Sequence, residues 1–351
     1  MTLWMPNKNK PLYAPMLATF GGGSVRGFKA GSVEVDTSLQ NPYFETTTYT
    51  GNGSTQTITS GMNFSANDGA IWLKRRDGTG QDHNIYDTVR GAYERLKPNQ
   101  DYAENTQANG LSSFNTDGWT MGSSGNINSN AASYVAWSLQ VQPRFFDVQT
   151  WIGNGVNGRT ISHNLGTDVG FMMVKKMNAG RSWINYHTSL GGTKYLENNN
   201  EAGAGTVNTV WNDTDATSST ITLGTNSSVN NNGDSYVAYI FAHDPDGTDD
   251  NGFIACGEYT GNGSTSGPTI DIGWTPQFLI IKRYDTSSDW NIIDNVRGFS
   301  AGNDEELNID RDFPATTGSN FVNPTSTGFR LGTTDISYNA NTGNYLYIAI
   351  R

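Results

Sequence analysis

The sequence predicts an all-β protein, with three tandem antiparallel β-sandwich modules of the jelly-roll or lectin-like kind after an irregular N-terminal arm. The first observation is a repeat of about 100 residues, a feature to look for before any other. Each copy places an aromatic residue before a Gly-Asn-Gly motif, continues to a short apolar run followed by lysine, and closes with an aromatic-led strand. The motifs start at Gly51, Gly153 and Gly261, the lysines are Lys74, Lys175 and Lys282, and the closing strands start at Tyr134, Tyr236 and Tyr345.

The second observation is a composition that is polar and aromatic at once. Of the 351 residues, 35% are hydrophobic, 16% are charged and 41 are glycine, as is typical of short strands joined by many turns. The 9 Trp, 16 Tyr and 15 Phe argue against disorder, because disordered chains lack aromatic residues. We therefore expect packed, β-rich modules.

Charge and cysteine content exclude several classes of protein. The formal net charge is −11 and no basic cluster appears, whereas a non-specific nucleic-acid binder needs a basic face. A single cysteine, Cys256, excludes an intrachain disulfide framework and a cysteine-rich zinc site, and is interpreted as a small buried hydrophobe. No signal peptide or membrane span is apparent, so we expect no membrane insertion, and a protein that stays in a cytoplasm or leaves it by lysis.

Residues 1–40 match none of the repeats and form the predicted arm. Prolines flank its apolar residues and prevent a continuous helix, and a glycine triplet follows as a flexible joint. Such a segment suits docking onto another subunit, and the alternative is a disordered terminus. The candidate docking residues are Leu12, Tyr13, Pro15, Met16 and Leu17.

The modules are predicted at residues 41–143, 144–244 and 245–351. In the first, Phe44 to Thr50 reads as a strand from its aromatic and β-branched residues, and the glycine motif after it as a turn. Ile71 to Leu73 is a short apolar run, as expected of a strand covered on both sides. About five to seven such strands in each module, separated by polar turns, indicate a sandwich.

An acidic–basic pair distinguishes the modules. Asp87 and Arg90 in module 1 return as Asp294 and Arg297 in module 3, but module 2 has His187 at the acidic position. An Asp and an Arg three residues apart can pair across a turn and bind its amides. Because module 2 lacks the pair, we interpret it as structural and not catalytic.

The segment between modules 2 and 3 is the candidate metal site. Its aspartates supply the oxygen ligands that calcium prefers, although their spacing does not match the helix-flanked calcium loop. A solvated hinge is the alternative, and no other cofactor is expected. The candidate ligands are Asp244, Asp246, Asp249 and Asp250.

No catalytic motif appears, and we expect no enzyme activity. The four histidines show no metal-binding spacing, and no serine lies in a G-x-S-x-G elbow. Paired carboxylates flanking a sugar would make a glycan-degrading enzyme the alternative. Trp119, Trp151 and Trp211 are candidate glycan contacts if their rings are exposed, and core residues otherwise.

Several phrases carry a resemblance to a known family. They are Ala14-Pro15-Met16-Leu17 with Gly21-Gly22-Gly23-Ser24, Tyr49-Thr50-Gly51-Asn52-Gly53, Ile85-Tyr86-Asp87-Thr88-Val89-Arg90-Gly91 and Ser182-Trp183-Ile184-Asn185-Tyr186-His187. In these the chain resembles structural proteins of tailed bacteriophages, particularly those of marine bacteria and cyanobacteria, often labelled tail fibre.

The resemblance implies a virion structural protein, assembled in the host cytoplasm. It implies other virion proteins of tail or capsid as partners, a host glycan or receptor as a further partner, and a homo-oligomer, often a trimer. A tail-fibre-like or receptor-binding appendage is the first interpretation, and a head-decoration or capsid-fibre protein the second. No heptad pattern is present to hold three chains together.

Overall fold

Each module is built on a large antiparallel sheet in which the first strand pairs with the last. The computed structural model describes residues 41–245, 252–300 and 302–351; the candidate docking residues of the arm, Leu12 to Leu17, lie outside them. Strands, and no long helices, make up the described chain, so the prediction of an all-β fold is confirmed. None of the helices in the described part of the chain has the length and hydropathy of a membrane span.

Module 1 contains a four-stranded sheet in the order β1-β9-β3-β4, a three-stranded sheet in the order β2-β8-β7, and a ribbon of β5 and β6. Its elements are β1 Phe44–Thr50, β2 Gln56–Thr59, β3 Gly69–Arg75, β4 Asn84–Asp87, β5 Glu94–Arg95, β6 Asn105–Thr106, β7 Leu111–Asn115, β8 Gly118–Met121, α1 Gly125–Asn128 and β9 Ser133–Gln140.

Module 2 repeats the plan with a sheet in the order β10-β17-β12-β13, a pair β11-β16 and a ribbon β14-β15. Its elements are β10 Phe146–Ile152, β11 Arg159–Ser162, β12 Val169–Lys176, β13 Ile184–His187, β14 Lys194–Tyr195, β15 Gly205–Thr206, α2 Asn208–Trp211, β16 Thr220–Leu223 and β17 Ser235–Ala242.

In module 3 the ribbon joins the large sheet, which has the order β18-β26-β20-β21-β22-β23 and faces the sheet β19-β25-β24. Its elements are β18 Ile254–Thr260, β19 Thr269–Asp271, β20 Phe278–Arg283, β21 Trp290–Asp294, β22 Asp304–Asn308, β23 Thr316–Ser319, β24 Val322–Thr325, β25 Gly328–Leu331, α3 Ile336–Asn339 and β26 Asn344–Ile350.

The large sheet is covered on both faces, as the apolar run in β3 predicts. Ile71 and Leu73 pack with the small sheet in the core of module 1, while Trp72, between them, faces the other way. This follows from the two-residue period of a strand. In each module one face of the sheet therefore closes the sandwich, and the opposite face is available for another module.

The opposite faces meet in one core shared by all three modules. Trp137 of module 1 contacts Phe278 of module 3 with ring centroids 5.8 Å apart, and Phe171 of module 2 contacts Trp290 of module 3 at 6.0 Å. These rings belong to a single buried cluster, whereas modules 1 and 3 also keep a separate sandwich core each. The modules look alike, but they are not independent lobes.

Candidate functional site

A buried lysine joins each module to a neighbour. Its Nζ donates to a backbone carbonyl oxygen of the neighbouring module, over 2.8 Å in all three cases. Module 2 contacts module 1, module 3 contacts module 2, and module 1 contacts module 3, so the contacts close a ring, as heterologous interfaces do when the rotation closes. The donor and acceptor residues are Lys175 and Asp101, Lys282 and Glu201, and Lys74 and Asp312.

Two backbone hydrogen bonds accompany each lysine, and they also repeat cyclically. In the first, a backbone N–H of the lysine's own module donates to the same carbonyl oxygen as the lysine. In the second, a backbone N–H of the neighbouring module donates to a carbonyl oxygen of the lysine's module. The first set is Arg181 to Asp101 (2.8 Å), Ser288 to Glu201 (2.9 Å) and Gln81 to Asp312 (2.8 Å). The second set is Glu104 to Met177 (2.8 Å), Ala204 to Tyr284 (2.9 Å) and Ala315 to Arg76 (2.9 Å).

We call each of these three contacts between modules a seam. In each seam, a side-chain ring nitrogen donates one further hydrogen bond to the neighbouring module. Trp183 Nε1 donates to the Lys97 carbonyl oxygen over 2.9 Å, and Trp290 Nε1 donates to that of Glu197 over 3.0 Å. In the third seam His83 takes the place of the tryptophan.

The tautomer of His83 follows from its contacts. Trp72 Nε1 donates to His83 Nδ1 over 2.9 Å, and burial lowers the pKa of His83 well below its usual value. The neutral ring therefore carries its proton on Nε2 and donates it to the Asn308 carbonyl oxygen, 2.9 Å away. His83 thus makes the same bond as the two tryptophans.

Burial changes the acidity of the seam lysines. Each of these lysines is fully buried, and burial lowers its pKa to about 8. Their hydrogen-bond acceptors are neutral carbonyl oxygens, which do not offset the effect of burial as a bonded carboxylate would. A buried lysine can serve as a base in a catalytic site. Here the same arrangement occurs three times, which indicates a role in joining the modules. These residues are Lys74, Lys175 and Lys282.

The acidic–basic pairs form a second set of contacts between modules. Asp87 accepts hydrogen bonds from the Arg90 N–H over 2.8 Å and from its Nε over 2.5 Å, and both side chains are almost fully buried. Tyr239 of module 2 donates its hydroxyl to the same carboxylate over 2.7 Å. In the next seam Trp137 of module 1 donates to Asp294 over 2.9 Å.

Module 2 shows why it lacks the pair. The residue of module 3 that corresponds to Tyr239 and Trp137 is Ile348, which has no donor to offer a carboxylate. His187 stands at the acidic position, is neutral because burial lowers its pKa to about 4, and bonds the Tyr347 backbone oxygen over 3.2 Å. These contacts support the interpretation of the Asp–Arg pair as structural. The hydrogen bond that each pair accepts from another module could not be inferred from local sequence.

The Gly-Asn-Gly motifs bind a buried asparagine within their own module. In module 1 the Asn52 N–H donates to Asn128 Oδ1 over 2.8 Å, and Asn128 Nδ2 donates to the Gly122 carbonyl oxygen over 2.8 Å. A Cβ at Gly51 would lie 2.2 Å from the Ser129 oxygen, so only glycine fits. Asn230 and Asn339 repeat the bond in the other modules.

The three candidate glycan-contact tryptophans are buried, so that prediction is wrong. Trp119 is 0%, Trp211 2% and Trp151 7% exposed, and Trp151 Nε1 donates to the Val229 carbonyl oxygen over 3.0 Å. Each side chain lies on a strand or helix face that packs into a core, which leaves no ring face for a sugar. Their alternative interpretation as core residues is the correct one.

Of the four candidate calcium ligands, only Asp244 lies within the described residues. Asp244 binds Arg144 through an Nε–Oδ2 contact of 2.5 Å and forms a bridge with Ile254. The other candidate ligands, Asp246, Asp249 and Asp250, lie outside the described residues. Cys256 is 2% exposed, and burial raises the pKa of its thiol, which agrees with a small buried hydrophobe.

A cluster of three acids, which no sequence motif indicates, lies between modules 2 and 3. Carboxylate oxygens of Glu201, Asp289 and Asp310 lie within 4.8 Å of one another, a separation that a metal ion could bridge. Arg311 already pairs with Glu201 and, over 2.8 Å, with Asp289. Arg311 Nε also lies 3.8 Å from Asp310 Oδ2, so one guanidinium charge faces all three acids.

Asp310 is the acid of the cluster that stands where module 1 has an asparagine, Asn99. Its Oδ1 accepts from the Trp290 N–H over 2.9 Å, as Asn99 Oδ1 accepts from the His83 N–H in module 1. Asn99 also donates to Asp82 over 2.7 Å, whereas Asp310 Oδ2 is buried without a hydrogen-bond partner in the described chain. Burial, with the nearby Asp289 carboxylate, raises the pKa of Asp310 to about 7.

This raised pKa gives stability a defined pH dependence. The folded protein keeps the Asp310 proton up to pH about 7, whereas the unfolded chain loses it near pH 4, so stability falls as pH rises between these values. We expect Asp310→Asn to raise the free energy of unfolding by about 1–3 kcal/mol at pH 8 and by little at pH 4. Urea unfolding at both pH values measures this.

The matched variant is Asn99→Asp, which places the same acid opposite Asp82. We expect it to lose stability at pH 8 and to recover most of it at acidic pH, where the introduced acid is protonated. An Asp310→Asn effect that is equal at both pH values would contradict the assignment.

Module 1 also contains an open pocket with a volume of about 290 Å³. It lies beside the ribbon formed by β5 and β6, where Arg95 pairs with Asn105. Tyr102 lines it and is 57% exposed, more than any other aromatic residue that the structure describes. It directly follows Asp101, whose carbonyl oxygen binds Lys175. The remaining lining residues are Lys97, Ala103 and Glu104.

Comparison with known proteins places the chain in a family. No curated protein matches it. A family model described as a domain of unknown function, DUF7483, matches residues 40–144 and again residues 142–351, which together span all three modules. The chain therefore belongs to the DUF7483 family.

Proposed function

We propose that the chain is a structural protein of a tailed-phage particle, a tail-fibre-like or receptor-binding appendage whose arm docks on the particle while its β modules face the host. The observation that carries the proposal is the ring itself. Its buried lysines and acid–arginine pairs, groups that serve as acids and bases in catalytic sites, are hydrogen-bonded across the seams between modules, as are the tryptophans. This use of reactive groups favours a rigid scaffold.

The resemblance of the arm and of the glycine motifs to phage structural proteins supports the same proposal. Three similar modules also suit a protein that contacts the host surface, because equivalent loops are repeated around one ring. The seams hold the modules in fixed relative positions through backbone hydrogen bonds that do not depend on side-chain identity.

The test is to locate the protein on purified particles. An antibody raised against the whole chain, followed by electron microscopy with gold labelling, is expected to mark the tail. Labelling confined to capsid faces would replace the appendage by a head-decoration protein. Absence of the chain from the particles, checked by mass spectrometry, would overturn the proposal.

A sugar-release assay addresses the enzymatic alternative. We expect no release of sugar from host envelope polysaccharide by the purified chain. Release that one carboxylate substitution abolishes would replace the scaffold by a glycan-degrading enzyme.

A further inference from the structure

We propose that the pocket of module 1 binds a sugar that carries a carboxylate; the inference rests on the proposed host-facing role. Arg95 is the first reason. Its Nη2 donates to Asn105 Oδ1 over 3.1 Å, but its buried Nε and Nη1 have no hydrogen-bond partner in the described chain. The guanidinium lines the pocket, and carboxylate oxygens are the acceptors that it prefers.

Arg95 is also the only charge lining the pocket that the described residues leave without an ion-pair partner. Lys97 Nζ lies 2.6 Å from Asp82 Oδ2, so its charge is already compensated. Glu104 is compensated in the same way by Arg90, at 2.7 Å. One positive charge therefore remains for a ligand, although the whole chain has a net charge of −11.

The remaining walls suit a sugar ring. Tyr102 lines the pocket and stays 57% exposed, although Lys97 Nζ lies over its ring, 5.6 Å from the centroid. An exposed aromatic face provides a surface on which the apolar side of a sugar ring can stack. Asn105 Oδ1 accepts from Arg95, which leaves the Asn105 amide nitrogen to donate to a hydroxyl. A volume of about 290 Å³ is near the lower end of small-molecule pockets and fits one sugar residue.

The other two modules show that this pocket is not part of the common fold. Arg95 and Lys97 correspond to Tyr195 and Glu197 in module 2, and to Glu306 and Asn308 in module 3, by strand pairing and seam contacts. Tyr102 corresponds to Ala202 in module 2. Among the described residues, only module 1 thus combines at this place an arginine without an ion-pair partner and an exposed tyrosine ring.

Module 3 provides a matched control. Phe313 follows the seam residue Asp312 as Tyr102 follows Asp101, it is 56% exposed, and Arg311 lies over its ring at 5.5 Å. That arginine is already bound by Asp289 and Glu201. The control therefore keeps the exposed ring and the arginine but lacks the free charge.

Isothermal titration of the full chain with a glucuronate oligosaccharide tests the proposal, with glucose oligosaccharide and inorganic phosphate as comparison ligands. We expect saturable binding of the glucuronate ligand and none of the glucose ligand. Tyr102→Ala, which installs the residue of module 2, and Arg95→Gln are each expected to weaken binding about tenfold or more, a difference of the size of one good contact. Phe313→Ala is expected to leave the affinity unchanged.

Three results would overturn the proposal. They are absence of saturable glucuronate binding, an unchanged affinity in Tyr102→Ala, and phosphate binding as tight as that of glucuronate and independent of Tyr102, which would indicate a simple anion site. Because Tyr102 is exposed, its variant tests the pocket even if Arg95→Gln fails to fold. If the chain is found on phage particles and glucuronate does not bind, only this inference fails; if it is absent from particles, the proposed function fails.

Discussion

Replacing Asp294 with alanine is expected to lower the free energy of unfolding by about 3–5 kcal/mol, the usual effect of leaving a buried charge without its partner. The side chains of Asp294 and Arg297 are both 0% exposed, and Asp294 Oδ2 accepts from Arg297 Nε over 2.5 Å. Glu305, the other carboxylate beside Arg297, lies farther away, 3.7 Å from Nη1, and is already paired with Arg76. The substitution also removes the acceptor of Trp137 Nε1. Urea unfolding followed by tryptophan fluorescence measures the change.

The control is the double substitution Asp294→His with Arg297→Leu, which installs the residues of module 2, His187 and Leu190. Because no charged group then remains buried at the position, we expect the double variant to be clearly more stable than Asp294→Ala. Equal instability of the two variants would show that the loss does not come from the unpaired arginine.

Replacing Trp290 with alanine is expected to cost about 3–5 kcal/mol, the range for removing a large buried aromatic side chain. Trp290 is 0% exposed, contacts Phe171 of module 2, and donates to the Glu197 carbonyl oxygen. Removing it therefore affects packing and the seam together. Thermal and urea unfolding of the full chain measure the change.

Trp290→Phe separates the two contributions. It keeps most of the packing but leaves the Glu197 carbonyl oxygen without its donor, which costs about 1–3 kcal/mol when the group stays buried. We expect this variant to be intermediate between the parent and Trp290→Ala. A phenylalanine variant as unstable as the alanine variant would indicate that packing contributes little at this seam.

The all-β fold class could be predicted from the sequence because it rests on local patterns. Strands such as Ile71 to Leu73 are indicated by short continuous apolar runs, and the glycine motifs mark close contacts that only glycine tolerates. Both signals occur three times. Repetition therefore indicated the fold class before any long-range contact was known.

The seams could not be predicted, because their partners are far apart in the chain. Lys74 and Asp312, for example, are joined by a bond between residues 238 positions apart. The prediction that Trp119 and Trp151 contact a glycan is wrong for a related reason. An alternating pattern shows that the two faces of a strand differ, but not which face packs against another layer. That depends on the position of the neighbouring sheet.

The pocket of module 1 left a weak signal that aligned copies could have shown. Arg95 stands where the other modules have Tyr195 and Glu306, so the charge of this position differs among otherwise similar copies. The guanidinium atoms of Arg95 that lack a hydrogen-bond partner and the exposure of Tyr102 depend on how the ribbon packs. Both can be known only from the structure.

Closure of the ring within one polypeptide has a consequence for how its copies can diverge. In a ring of three identical chains every substitution appears three times, and assembly depends on protein concentration. Here three similar modules belong to one polypeptide, so one module can carry a basic residue, Arg95, where the other two carry a neutral and an acidic one. Asymmetry of this kind is accessible to evolution in a fused ring and closed to a homotrimer.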